Sequence, residues 1–125
     1  MPVQIEIDTK KQITFFRIYG FHLADEALDA LKAFYQSEPT KFLVIDAREM
    51  TGSNLDEKSF NTINDYARSQ AYKRPAGAKT AIVSPLDFGY GLARMDEILL
   101  GFSNFPHPFS VFRSIEKALE WLKEI

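Results

Sequence analysis

Phe42-Leu43-Val44-Ile45 decides the fold, because four apolar residues follow one another without polar alternation and the run ends at Asp46. A strand apolar on both sides is covered on both sides, so the segment reads as an interior strand of an α/β sheet, parallel to a neighbour. Thr80-Ala81-Ile82-Val83 is a second strand of this kind. Between them Phe60, Ile63, Tyr66, Ala67 and Ala71 recur at helical spacing, which gives a strand, helix, strand unit.

Working outward toward the N-terminus, Val3, Ile5 and Ile7 alternate with Gln4, Glu6 and Asp8, and a second alternating run extends from Gln12 to Tyr19 after the polar break Thr9-Lys10-Lys11. That pattern is an antiparallel hairpin. Ile13, Phe15 and Tyr19 fall on one side of its second strand and Phe16 and Ile18 on the other, and Gly20 is expected to end it. From Leu23 to about Gln36, the positions Ala24, Ala27, Leu28, Leu31, Phe34 and Tyr35 form the apolar stripe of a first helix, acidic at its favourable N-terminal end. Residues 47–54 are expected to form a loop, with Ser53 and Asp56, or Asn54 and Glu57, as the capping box of the second helix. Lys73 and Arg74 suit that helix's C-terminal end better than a binding patch, and Pro75-Ala76-Gly77 stops it.

Toward the C-terminus, Ser84-Pro85 opens a third helix whose inward stripe reads Phe88, Gly91, Leu92, Met95, Ile98, Leu99 and Phe102, with Gly91 letting it approach the sheet. Phe109 to Phe112 forms a last strand, and Ser114 caps a final helix with Ile115, Ala118, Leu119, Leu122 and Ile125 inward. The order is ββαβαβαβα: an α/β domain over residues 1–125, built on a mixed, mostly parallel five-stranded sheet with four helices.

Composition narrows the function classes. A chain of 125 residues that is 46% apolar suits one core. Fifteen Lys and Arg against seventeen Asp and Glu leave a net charge of -2, so nothing draws the chain generally to nucleic acid or acidic lipid. With no cysteine and only His22 and His107, disulfide, thiolate and zinc chemistry lack their ligands, and neither a metal nor a cofactor is expected. An acidic N-terminus and the lack of a long apolar run argue for a soluble, cytoplasmic protein without stable membrane insertion.

In open α/β sheets, ligands meet the carboxyl ends of parallel strands and the adjacent helix N-termini. Residues 46–54, which include Asp46, Thr51 and Ser53, and residues 84–87, which include Ser84 and Asp87, take that position and share one rim if their strands are neighbours. On the third helix Asp87, Tyr90, Arg94 and Glu97 make one polar stripe. It reads either as a solvated face of intrahelical pairs or as an anion site with Arg94 and Tyr90 as anchors. Gly89-Tyr90-Gly91 is no dinucleotide fingerprint, since arginine occupies the third glycine position. The uncharged segment from Gly101 to Phe109 carries Phe102, Phe105 and Phe109. It reads as cover for the domain's own core, as a homodimer seam or as an apolar ligand wall.

The element order and the words Leu43-Val44-Ile45-Asp46, Ser84-Pro85 and Tyr90-Gly91-Leu92-Ala93-Arg94-Met95 resemble, over almost the whole chain, the SpoIIAA-like branch of the STAS-related domains, small bacterial proteins. Anti-sigma-factor antagonists of that group are phosphorylated on a serine in an Asp-Ser-Ser-Gly-like turn opening the second helix. Here the turn reads Met50-Thr51-Gly52-Ser53-Asn54-Leu55-Asp56, without that word. The resemblance also looks toward lipid-binding CRAL-TRIO domains, although this chain lacks the extra helices that would close a lipid cavity. Together, residues and resemblance imply a non-enzymatic domain that binds a protein partner or a small, anionic or apolar ligand at the rim of Asp46, Thr51, Ser53, Ser84, Asp87, Tyr90 and Arg94. One alternative is a phosphoprotein switched at Ser53 or Thr51, and another is a small enzyme using Asp46 and Asp87 as a carboxylate pair.

Overall fold

The alternating N-terminus does pair with itself. In the computed structural model, which describes residues 3–102 and 105–124, β1 (Val3–Asp8) lies antiparallel to β2 (Ile13–His22), and Gln12 turns the chain at φ 57°. Ile125, the side chain of Phe102, and Ser103 and Asn104 of the phenylalanine-rich segment lie outside the described residues.

From β2 onward each strand is parallel to the next, through β3 (Phe42–Ser53), β4 (Lys79–Val83) and β5 (Phe109–Phe112), and the sheet order is the chain order. Crossovers of one hand between successive neighbours put their helices on one face. Those helices are α1 (Ala24–Gln36), α2 (Glu57–Gln70) and α3 (Asp87–Phe102); α4 (Ile115–Lys123) follows the last strand and covers the opposite face. The core divides accordingly. Leu31, Phe34, Tyr35 and Ala67 pack on Phe16 and Leu43 on the first face, while Ala118 and Leu122 of α4 pack on Ile13, Val44, Ala81 and Val83 on the second.

Two strands run longer than their apolar runs. β2 continues through Gly20, at φ 68°, to His22, and β3 continues to Ser53, so most of the expected loop at 47–54 is strand. The extensions pair with each other, Gly20 opposite Met50 and His22 opposite Ser53, across register shifts at Arg17/Tyr19 and Gly20/Phe21. Those irregularities break the two-residue alternation that identifies a strand. The capping box of α2 also moves: Asp56 is the N-cap, accepting from Ser59 N–H at 2.9 Å while Ser59 Oγ accepts from Asp56 N–H at 2.9 Å. Asn54 instead serves α1, its Oδ1 accepting from Ala24 N–H at 2.7 Å. Ser114 caps α4 as expected.

α3 turns a different face inward from the one its large residues suggest. Gly89, Ala93, Asp96 and Leu100 are buried at helical spacing, whereas Phe88 and Ile98 are about half exposed, at 54% and 52%, and Gly91 is exposed. Gly89, not Gly91, makes the close approach: a Cβ there would lie 2.1 Å from Ser84 Oγ, while one at Gly91 meets nothing within 4 Å. At position 89 Ser84 leaves no room for any side chain.

Arg74 is neither a solvated helix end nor a surface patch. It is buried against the Phe34 ring, donating to Thr80 Oγ1 at 2.6 Å and to the carbonyls of Lys41 and Lys79 at 2.9 Å each. It ties the entry of β3 to the entry of β4. Phe105 lies partly buried against the cluster of Leu31, Phe34 and Leu43, Phe109 against Ile82, Ala93 and Val111, and His107 Nε2 lies 3.0 Å from the Ala71 carbonyl, so the described part of that segment covers the domain's own core.

Candidate functional site

The same small residues that bring α3 close to the sheet leave space beside it. Gly89 and Ala93 on α3 and Ala27 and Ala30 on α1 face Ile45 and Met50 of β3 across a cavity of about 100 Å³. The cavity sits directly behind the predicted rim, since β3 and β4 are neighbours and residues 46–54 and 84–94 both contribute to its wall. The space is smaller than the ~150 Å³ enclosed apolar cavity that takes up benzene, and it is partly open to solvent.

Two side chains interrupt the apolar wall. His22, at the end of the β2 extension, is 4% exposed, and its Nδ1 is buried without a hydrogen-bond partner. Burial lowers its pKa below the ordinary 6.5, against the opposing pull of the Glu26 charge, so the ring is neutral at pH 7. Asp96 is 8% exposed and accepts from Asn64 Nδ2 at 2.8 Å. Burial pushes its carboxyl up to about 6, the Asn64 hydrogen bond working in the other direction. A buried imidazole nitrogen without a partner and a buried acid with one neutral partner are both costly in an apolar interior.

The residues singled out from sequence are distributed around this cavity rather than gathered into one site. Asp46 lies with Val44 on the α4 side of the sheet, 5% exposed, held by Arg17 Nη1 at 3.0 Å and by Arg48 Nε and Nη2 at 2.9 and 2.8 Å. Burial works to raise its pKa, but the hydrogen bonds from Arg48 and the charges of Arg48 and Arg17 outweigh it and hold the carboxyl below the usual range. Ser84 is buried under Gly89. Ser53 Oγ donates to the His22 carbonyl at 2.8 Å and accepts from Leu55 N–H at 3.0 Å, which fixes the strand end behind the imidazole; Thr51 is exposed.

The polar stripe of α3 is solvated, and its charges are paired within the helix or with Arg113 beyond β5. Arg94 bonds Glu97 at 2.6 Å, Asp87 bonds Arg113 at 2.9 Å, and the Arg113 guanidinium lies 4.2 Å over the Tyr90 ring. Each cation already has a carboxylate. Asp46 and Asp87 share no pocket either, because neither lines the cavity and the Asp87 side chain is 94% exposed. No group of three or more acidic or histidine side chains able to hold a metal occurs among the described residues, and no described helix is long and apolar enough to cross a membrane.

His22 and Asp96 carry the polarity of the cavity, and neither was a candidate from sequence. Asp96 could have been found by its place at helical spacing from Gly89, Ala93 and Leu100, a signal hidden while the larger residues defined the stripe.

Comparison with solved structures agrees with this architecture. The anti-sigma factor antagonist SpoIIAA in its unphosphorylated form superposes with a TM-score of 0.58 at 10% identity, covering 98% of this chain and 99% of that one. A DUF3478 protein with a SpoIIAA-like fold from Shewanella loihica PV-4 gives 0.58 at 16% identity, covering 96% and 91%; phosphorylated Bacillus SpoIIAA gives 0.54 at 12%, covering 97% and 99%. No protein-family model matches the sequence, and no curated protein does. The chain has the SpoIIAA-like fold: a five-stranded mixed, mostly parallel sheet with four helices in the order ββαβαβαβα.

Proposed function

We propose that this chain is a non-enzymatic binding domain that encloses a small, mainly apolar molecule in the cavity between the sheet and α1 to α3. One observation carries the reading: an apolar space of about 100 Å³ is bordered by His22, whose buried Nδ1 has no partner. A ligand there would gain the hydrophobic contribution of its buried surface. The rim of residues 46–54 and 84–94 then acts as the wall and approach to the site, and an anion is disfavoured because Arg94 and Arg48 are already paired.

Native mass spectrometry of the protein purified without denaturation tests this. A reproducible small-molecule adduct is expected, and Ala27→Leu, which fills the cavity from α1, should remove it. An adduct-free wild-type spectrum, with no rise in Tm on adding small cyclic hydrocarbons or alcohols, would refute it.

A second reading, a protein partner, rests on Leu86, Phe88 and Ile98, which are 59%, 54% and 52% exposed at the start and on the outer side of α3. At Ser53 the phosphoprotein reading finds less support, since its Oγ is committed in both directions and Asp56 already occupies the N-cap of α2; at Thr51, which is exposed, nothing opposes it.

A further inference from the structure

The sheet ends on an edge without the usual protections. β1 pairs with β2 along one side, from Val3 opposite Ile18 to Asp8 opposite Ile13, and its other side pairs with no described strand. Strand edges are ordinarily blunted by shortness, by proline or lysine, or by a bulge. The opposite edge, β5, is only four residues long. β1 is six residues long, contains no proline or lysine, and keeps an unbroken register with β2.

Both faces of β1 are unfinished. Val3, Ile5 and Ile7 lie on the α1 side, opposite Ile18, Phe16 and Thr14, yet Ile5 and Ile7 are 42% and 52% exposed. The apolar layer built on Phe16 therefore stops at an uncovered Ile5. On the α4 side Gln4 lies opposite Arg17, whose Nε donates to Glu6 Oε2 at 3.0 Å. That ion pair offsets the one charge in the middle of the strand that would repel another edge.

A second β1 fits this edge in one register. Two identical antiparallel strands are related by a two-fold axis, and residues directly opposite each other share a face. Centring the pair on Ile5 sets Ile5 against Ile5, Val3 against Ile7 and Gln4 against Glu6. Centring on Glu6 opposes two carboxylates, centring on Ile7 opposes Glu6 to Asp8, and centring on Gln4 leaves Ile7 beyond the end of the other strand. Only the Ile5 register brings each Glu6 beside Gln4 of the other copy, on the side where Arg17 flanks it with the opposite charge. We propose that β1 of one copy pairs with β1 of a second copy about Ile5, joining two five-stranded sheets into one, with the α1 sides of both on the same face.

The chain has no cysteine, so single substitutions report the register directly. Sedimentation velocity of the full chain should show a dimer whose fraction rises with concentration. Ile5→Lys, which sets two ammonium groups against each other at the centre of the seam, should leave a monomer with unchanged circular dichroism; if that variant does not fold, the cysteine series decides. Under mild oxidation Ile5→Cys should form a covalent dimer, since directly opposed residues have Cα atoms about 4.5 to 5.5 Å apart, within disulfide reach. Ile7→Cys alone should not, because its two copies would lie about 14 Å apart along the strands, and mixing it with Val3→Cys should restore the link. A monomer at every concentration would overturn the proposal. So would a folded Ile5→Lys variant that still dimerises, or a dimer in which Ile7→Cys links to itself and Ile5→Cys does not.

Discussion

Asp96→Asn should make the protein more stable at neutral pH, and the gain should follow a particular pH course. The carboxyl titrates near 6 in the fold against an ordinary 3.8, a difference equivalent to about 3 kcal/mol at ~1.4 kcal/mol per pKa unit. The folded state thus holds the proton more tightly than the unfolded one. Above about pH 6 the buried carboxylate destabilises the fold by the full amount, between 6 and 3.8 the effect shrinks, and below 3.8 it is gone. Asparagine keeps the shape and an oxygen for Asn64 Nδ2 but has no charge to desolvate. The wild-type profile alone does not isolate this, because His22, with its lowered pKa, works oppositely: its neutral burial favours the fold above pH 6.5 and loses that contribution as the unfolded state protonates below it. The difference between variant and wild type cancels His22. Urea denaturation followed by circular dichroism at half-unit intervals from pH 4 to 8 should give a difference near zero at pH 4 that rises to about 3 kcal/mol by pH 7 and then stays level. A flat difference, or a less stable variant at pH 8, would refute the placement of an acid in an apolar wall.

Further outcomes follow from other contacts. Gly89→Ala should cost about 2 kcal/mol by urea denaturation, because the new Cβ falls 2.1 Å from Ser84 Oγ, whereas Gly91→Ala two residues on, in open space, should stabilise by about 0.5 to 1 kcal/mol; Ser84→Ala should recover part of the Gly89→Ala loss. Asp46→Asn should destabilise by about 2 kcal/mol at pH 7 by leaving Arg17 and Arg48 facing each other, and since the Asp46 pKa is lowered, that contribution should fade as pH drops below 3.8, the reverse of the Asp96 course. Arg74→Met should cost about 3 kcal/mol in the same assay, because the Lys41 and Lys79 carbonyls and Thr80 Oγ1 lose their donor.

The interior strands were legible because burial on both faces writes an unbroken apolar run, and Phe42 to Ile45 and Thr80 to Val83 have one. The hairpin was legible for the opposite reason, its outer strand alternating cleanly with β2. What escaped was the region where the backbone departs from a repeating period. The β2 and β3 extensions carry glycines and two register shifts, so Phe21, His22 and Met50 fall out of alternation although each sits in a strand. On α3 the largest apolar residues suggested the wrong inward face, because hydrophobicity identifies what prefers burial, not what fits beside Ser84. The rim was located correctly as a neighbourhood, two adjacent strand ends, but its conspicuous charges proved to be engaged with one another.

The features that sequence hid are also the ones that oppose stability, and they coincide in space. The Asp96 carboxylate costs about 3 kcal/mol at neutral pH, and the unpaired His22 nitrogen about 1 or more. Other buried polar groups are better matched: Thr14 pairs with Thr40 at 2.8 Å and Asp46 with two arginines, while Arg74 meets two carbonyls and a hydroxyl and leaves only its Nε without a partner. A domain stable by only about 5 to 15 kcal/mol that concentrates such a deficit in one place is in conflict with its own packing there, and such conflicts mark functional sites. His22 and Asp96 both border the space that an apolar ligand would fill. The Asp96 term would remain whatever fills the space; acidification relieves it, while the lowered pKa of His22 opposes that gain over the same pH range.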